Sequence, residues 1–256
     1  MAGALASGMV SACKVAPHDL RVYDVRREAC AELAESLPDL QIADSIGQAV
    51  DSPLVFLCVK PKDVADCLAQ AGGALAGSLL VSIAAGVTLD TLHALTPGGA
   101  RIIRVMPNTP ALVGCGASAM TARDDVGIED RELVGGLLEA VGTVHEVDEE
   151  QMDAVTAVSG SGPAFFYLFI EALANGGTAN GLESRTALEL AAQTALGAAR
   201  MIIETGNSPA DLREMVSSPG GTTLAGLQCL DKAGVADSIG RAVDAAASRA
   251  AAVGRR

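Results

Sequence analysis

Three short apolar runs constrain this chain more than anything else in it. Leu54-Val55-Phe56-Leu57-Cys58-Val59 carries no polar side chain beyond a thiol, and Leu79 to Ala84 and Arg101 to Met106 look similar. Such runs are too short for self-sufficient helices and too continuously apolar for strands with one wet face. They suit strands buried on both faces, which occur in parallel sheets covered by helices. Helical segments near Lys62 to Ala71 and Thr88 to Leu95 separate them. Leu20 to Asp24 reads as another strand, followed by a helix from Arg26 to about Ser36. Weaker strands are expected at Ala117 to Thr121 and Thr143 to Val147, with the helix Glu129 to Ala140 between them. This alternation predicts a doubly wound, Rossmann-like α/β domain over residues 1–150.

After Glu150 the pattern becomes almost unbroken helix. Pro163 opens one helix, in the favoured first-turn position after Ser161 and Gly162. Further helices are expected at Leu182 to Glu204, Pro209 to Val216, Thr223 to Ala233 and Val235 to the C-terminus. Residues 151–256 therefore read as an all-α second domain. Helices that are apolar nearly all round have to be covered. They could cap the first domain; a dimer interface is the favoured reading.

Composition narrows the partners. Basic residues number 18 against 31 acidic ones, and the net charge of −13 argues against nucleic acid, whose phosphates need a basic face. Small anions remain acceptable, because a site needs only local positive potential. Cys13, Cys30, Cys58, Cys67, Cys115 and Cys229 form no C-x-x-C pair, and His18, His93 and His145 are isolated, so no metal is expected. The cysteines read as ordinary thiols of a reducing cytoplasm. No run of about 18 uncharged apolar residues is visible, and no basic-then-apolar leader, so a soluble cytoplasmic protein without a membrane partner is expected. The best apolar stretch, Pro163 to Leu173, carries Glu171.

Candidate site residues lie beyond the strand ends, where doubly wound sheets bind ligands. Cys58, Val59, Lys60 and Pro61 follow one strand, and Ile83, Ala84, Ala85, Gly86 and Val87 follow the next. Small residues there let a flat nicotinamide and its ribose approach the backbone, although Lys60 is equally at home as a solvated loop charge. Pro107 and Pro110 bracket Asn108-Thr109, either as a rigid turn or as a holder of polar side chains. Ser159-Gly160-Ser161-Gly162-Pro163 is either a plain helix cap or the place where the helical domain meets a cofactor. Asp24 ends a strand with Arg26 and Arg27 just beyond. An acid there bonds the ribose diol of NAD, while arginines accommodate the extra phosphate of NADP. Both are present, and NADP is the favoured choice.

The most specific stretch is Ser217-Ser218-Pro219-Gly220-Gly221-Thr222-Thr223, between two helix-compatible runs. Its glycines permit close backbone approach, and the helix start that follows offers N–H groups and a positive dipole end to a small carboxylate.

Together these motifs resemble the pyrroline-5-carboxylate reductases. Cys58 to Pro61, Ser82 to Val87, Arg104 to Pro110, Val158 to Pro163 and Val216 to Thr223 match family motifs in order and spacing, from Met1 to about Arg249. The resemblance implies reduction of L-1-pyrroline-5-carboxylate to L-proline, the last step of proline synthesis, with NADPH or NADH. It also implies an interlocked helical homodimer, often in a ring of dimers. Thr223 would donate a hydrogen bond near the ring nitrogen, and the amides of Thr222 and Thr223 would hold the substrate carboxylate. Ser218 and Gly221 would complete that pocket. Cys58 to Pro61 and Ile83 to Ala85 would line the cofactor, with Asp24, Arg26 and Asn108 as further candidates on that side. Relatives often carry a polar residue at Met215 and a glutamate near Asn207, and this chain carries neither. The reaction asks for orientation and charge complementarity more than for an acid–base pair, since a protonated imine is already electrophilic.

Relatives open with a strand and Gly-x-Gly-Asn-Met-Ala, whereas this chain begins Met1-Ala2-Gly3-Ala4, as though at the Met of that motif. The expected fold is thus a doubly wound sheet lacking its first strand. That strand belongs mid-sheet, between Leu20–Asp24 and Leu54–Val59, with strand order 3-2-1-4-5-6. Each flanking strand would lose a hydrogen-bonding edge, at about 1–3 kcal/mol for each buried unsatisfied group. A reading frame that extends upstream is the favoured explanation; a short, differently completed first domain is the other. Two competing functions stay open. One is a reductase of another cyclic imine or of a β-hydroxy acid, although the helix-borne lysine of the latter branch is not found. The other is a catalytically silent helical dimerisation protein.

Overall fold

The structure is a computed structural model that describes residues 1–254. The chain forms two units, Met1–Ser161 together with the chain from Ala246 onward, and Gly162–Ala245.

The first unit alternates as the apolar runs require. Helix α1 (Ala2–Ser11) is followed by β1 (Arg21–Val22), α2 (Arg27–Ser36), β2 (Gln41–Ile42), α3 (Ile46–Ala49), β3 (Leu54–Leu57) and α4 (Val64–Ala71). Then come β4 (Leu79–Ser82), α5 (Leu89–Ala94), β5 (Arg101–Met106), β6 (Gly116–Ala122), α6 (Ile128–Leu138), β7 (Gly142–Glu146) and α7 (Met152–Val155). Successive strand side chains point to opposite faces. Leu79, Val81, Ile103 and Val105 accordingly pack with Leu5 and Met9 of α1 and Val134 and Leu138 of α6. Leu80 and Ile102 pack on the other side with Val64 and Leu68 of α4 and Leu92 of α5. Helices on both faces explain why these strands read as largely apolar runs.

Two features depart from a single parallel sheet. First, β3-β4-β5-β6-β7 form one sheet and β1-β2 another, so β1 and β3 do not pair with each other. Helix α1 nonetheless serves both, with Leu5 and Met9 against the core of the larger sheet and Ala6 against Leu20 and Val22. Second, β6 runs antiparallel to β5, and only then does β7 pair parallel to β6. The chain between β5 and β6 is one 3-10 turn, Thr109–Val113, too short for the crossover helix that a parallel return needs. The β6–β7 ladder starts at Gly116 opposite Gly142, where a Cβ on Gly142 would fall 1.9 Å from the Gly116 carbonyl oxygen.

The second unit holds α8 (Gly162–Ala179), α9 (Ser184–Thr205), α10 (Pro209–Met215), α11 (Thr222–Lys232) and the first turns of α12 (Val235–Gly254). The expected extension of the last helix to the C-terminus ends outside the described residues. Small side chains let α8 and α9 meet: Ala174, Ala187 and Ala191 are buried together, and a Cβ on Gly177 would lie 3.3 Å from that of Ala187. Glu183 caps α9, accepting from the N–H groups of Arg185 and Thr186, and those bonds hold its carboxyl below the ordinary value.

The π-helical turn Thr156–Gly160 carries α7 toward α8, so helical structure extends over 31 residues, Glu149–Ala179. By length and composition alone that run could cross a membrane. The apolar segment looked shorter in the sequence because the Gly/Ser-rich stretch before Pro163 reads as a break.

Candidate functional site

Beyond β4 the chain makes a tight, well-held turn. Ser82 Oγ accepts from Ala84 N at 3.3 Å, and Val87 N donates to Ala84 O at 3.4 Å. Gly86 sits at φ +77°, the left-handed value that the third residue of a type II turn requires. Ala84 and Gly86 are buried, while Ile83 and Ala85 remain partly open. Thr88 then caps α5, its hydroxyl accepting from Thr91 N at 3.1 Å.

Beyond the adjacent β3, Cys58 and Val59 lead to Lys60, whose extended backbone feeds Pro61 into a 3-10 turn. Lys60 is exposed. Burial pushes the Cys58 thiol up to about 12, with the positive chain terminus pulling weakly the other way. A thiol so disposed stays protonated and acts as wall, not nucleophile.

Asn108 is buried and used twice. Its Oδ1 accepts from Ala117 N at 2.9 Å and its Nδ2 donates to Ser159 O at 3.1 Å. The side chain thereby ties the loop after β5 to the π-helical turn. Gly160 lies against the end of β5, for a Cβ there would stand 2.6 Å from Met106 Cε.

Beyond β1, Asp24 Oδ1 accepts from Arg26 N at 2.9 Å and stands 3.8 Å from Arg26 Nε. Arg27 is occupied elsewhere: its guanidinium bonds the carbonyls of Ala43 and Asp44 and lies over the Tyr23 ring. Of the two arginines, Arg26 alone carries a largely free head, at 77% side-chain exposure.

In the second unit, Ser218-Pro219-Gly220-Gly221 forms a type II turn. Gly221 N donates to Ser218 O at 3.0 Å, and Gly220 takes φ +72°. Pro at the second position and Gly at the third are what this turn selects. Gly221 then serves as N-cap of α11 without any side-chain cap, leaving the N–H groups of the first turn unclaimed by side chains. Thr222 and Thr223 are exposed there, and Ser218 Oγ sits where a Cβ on Gly221 would be, 2.5 Å away. Met215, at 69% exposure, and Asn207 are exposed on the approach to this turn.

The structure thus groups the candidates by unit: Asp24, Arg26, Cys58 to Pro61, Ile83 to Ala85 and Asn108 in the first, Ser218 and Gly221 to Thr223 in the second. Two open clefts of about 420 Å³ lie elsewhere, along the end of β6, and none of these residues lines them. Among the described residues no cluster of three His, Cys, Asp or Glu could hold a metal ion. Sequence reasoning passed over one further residue, Glu149, which pairs with the buried Arg104. The signal for a structured start there was Asp148 followed three residues later by Gln151, whose Oε1 accepts from Asp148 N at 3.0 Å.

Comparison with known proteins places both units. Residues 149–253 match the family model described as pyrroline-5-carboxylate reductase dimerisation, and residues 1–86 match that of NADP oxidoreductase, coenzyme F420-dependent. A pyrroline-5-carboxylate reductase of Corynebacterium melassecola is 41% identical over 98% of this chain and 94% of its own length. One from Methanosarcina acetivorans is 38% identical over 100% of this chain and 95% of its own. Among solved structures, the Coxiella burnetii pyrroline-5-carboxylate reductase superposes with TM-score 0.92 at 32% identity, covering 98% of this chain and 94% of that one. The Plasmodium falciparum enzyme, solved with NADP bound, gives 0.88 at 31% identity, covering 98% and 93%.

Proposed function

The chain belongs to the pyrroline-5-carboxylate reductase family, and from that membership we infer how its own residues serve the reaction. It is an oxidoreductase that reduces L-1-pyrroline-5-carboxylate to L-proline, the last step of proline biosynthesis, with an NADPH-type cofactor. The observation that carries the assignment of roles is the bare N-terminus of α11 behind its preformed turn.

A carboxylate suits that helix start, where unpaired N–H groups and the dipole both favour negative charge. The amides of Thr222 and Thr223 hold the substrate carboxylate, with Ser218 and Gly221 shaping the floor. Thr223 Oγ1 donates toward the ring nitrogen side and fixes the orientation of the imine. Thr223 is thus the residue in contact with the reacting group, and no covalent nucleophile is needed.

In the first unit the strand-end loops fit a dinucleotide. The small side chains of the Ile83–Val87 turn leave room against its backbone, and Val59 to Pro61 supply a second wall. When bound, the cofactor supplies the hydride. Arg26 offers an exposed guanidinium, loosely paired with Asp24, for the extra phosphate of NADPH, while Asp24, tied to Arg26 N, suits a ribose diol; NADH remains usable through the same acid. Asn108 serves this side by holding the β5 loop, since both ends of its amide are bonded within the protein.

The dimerisation-family match over 149–253 and the apolar exterior of α8 support a homodimer, alone or in a ring of dimers. Six free cysteines support a cytoplasmic setting.

The test is NADPH oxidation with pyrroline-5-carboxylate, run beside a version carrying an added strand and glycine loop to pair β1 with β3. Thr223→Val keeps the shape and removes the donor. Loss of a hydrogen bond to a charged group costs about 1.5–3 kcal/mol, so kcat/KM should fall roughly 10- to 100-fold. Folded protein inactive in both versions would refute the assignment and favour the silent dimerisation protein.

A further inference from the structure

We propose that Glu149 is a positioning residue for the reductase: through one carboxylate oxygen it pins the turn Ile83–Val87 and so holds one wall of the cofactor site. The inference rests on the reading that this turn lines the cofactor.

The reason begins at Arg104. It stands on β5, in register with Ser82 of β4, and its side chain is only 5% exposed. A guanidinium buried that far needs an acid beside it. Glu149 supplies one, with Oε1 3.0 Å from Arg104 Nη1. The same oxygen accepts from Leu89 N at 2.7 Å, across 60 positions of sequence. Leu89 is the first residue of α5, and its N–H is one of the donors that a helix start leaves unpaired. Thr88, the N-cap, spends its own hydroxyl on Thr91 N.

The turn is therefore held at both ends. Ser82 Oγ grips Ala84 N at the strand side, and Glu149 grips Leu89 N at the helix side. Between them Gly86 supplies the positive φ that closes the turn. Stability alone does not call for this arrangement, because an apolar pair of similar volume is often as good as a buried ion pair or better. What the pair adds is direction: Arg104 is fixed by the sheet, Glu149 is fixed by Arg104, and the start of α5 is fixed by Glu149. Nearby, Asp90 pairs with Arg123 at 2.9 Å instead of with Arg104.

Two variants of the whole chain separate positioning from folding. Glu149→Gln keeps the shape and an acceptor for Leu89 N but removes the charge facing Arg104; Glu149→Ala removes both. NADPH binding is measured by fluorescence titration without substrate, and KM values for NADPH and pyrroline-5-carboxylate are measured separately. Glu149→Ala should weaken NADPH about tenfold, and Glu149→Gln by less, with KM for pyrroline-5-carboxylate unchanged. A merely structural role would lower melting temperature and active fraction in both assays while leaving NADPH affinity in the folded fraction intact. That result, or equal NADPH affinity in wild type and both variants, would overturn the inference alone. Failure of wild-type protein to bind NADPH would overturn the reading of the turn and the inference with it. Should the alanine variant not fold, Glu149→Gln carries the test.

Discussion

Leu79, Leu80 and Val81 on β4 are 1%, 0% and 0% exposed, whereas Phe166, Tyr167 and Leu168 on α8 expose 65%, 62% and 66%. Residues of the same chemical class thus meet opposite fates in the two units. The first unit closes its apolar residues around a sheet. In the second, the fully buried residues are small, such as Ala174, Ala187 and Ala191 with Ile170 packed against them, and many large ones are exposed. Full burial of a large apolar side chain is worth about 1.5–3 kcal/mol. The first unit collects that stabilisation within one chain, and the second leaves it available to a second copy. The contrast teaches that large apolar surface left uncovered by folding is concentrated in the second unit, where the match to the dimerisation family model lies.

The sharpest way to break this comparison is Phe166→Asp. A substitution on a true solvent face stays within about 0.5 kcal/mol, but a charge placed in a covered apolar interface costs several kcal/mol. Light scattering after size exclusion should show the oligomer lost, and activity lost with it. An unchanged oligomer would mean that α8 faces water. Next in size is Leu80→Ala, which should cost about 2–5 kcal/mol in urea unfolding at every protein concentration. Ile203→Ala, at a residue 78% exposed, should shift the midpoint only where copies are associated. Smallest is a pH effect at Cys58. Its thiol titrates at about 12 when folded against an ordinary 9.0, so its contribution is complete below pH 9.0 and is lost as pH rises toward 12. Melting curves should therefore fall more steeply above pH 9.0 for wild type than for Cys58→Ala. Parallel curves would place that thiol in contact with water.

Strands β3 to β5 were legible because burial on both faces writes itself as an apolar run. The turn before α11 was legible too, since Pro219 and Gly220 are what a type II turn demands. Strand β2 was missed: Gln41 and Ile42 are too few to show a period, and pairing with β1 alone makes them a strand. The reversal at β6 was missed because strand direction follows from the length of a connection, not from the strand's own residues. Asn108 showed as a polar residue in a stiff loop, but its bonds to Ala117 and Ser159 depend on the tertiary fold. Glu149 was invisible for the same reason, since no local pattern links it to Leu89.

Gly220 and Gly221 stand side by side, yet they resist substitution on different grounds. At Gly220 nothing lies within 4 Å of a would-be Cβ, and the obstacle is the torsion, φ +72°. At Gly221 the torsion is ordinary, φ −77°, and the obstacle is Ser218 Oγ at 2.5 Å. In a mutational scan the two positions should part company. Asn, which tolerates the left-handed region, should be the least harmful allele at 220. At 221 part of the relief should come from a second site, Ser218→Gly, which removes the closest contact and leaves the backbone oxygen of residue 218 at 3.1 Å. Two neighbouring codons would then follow different genetic rules, one set by torsion and the other by a neighbour.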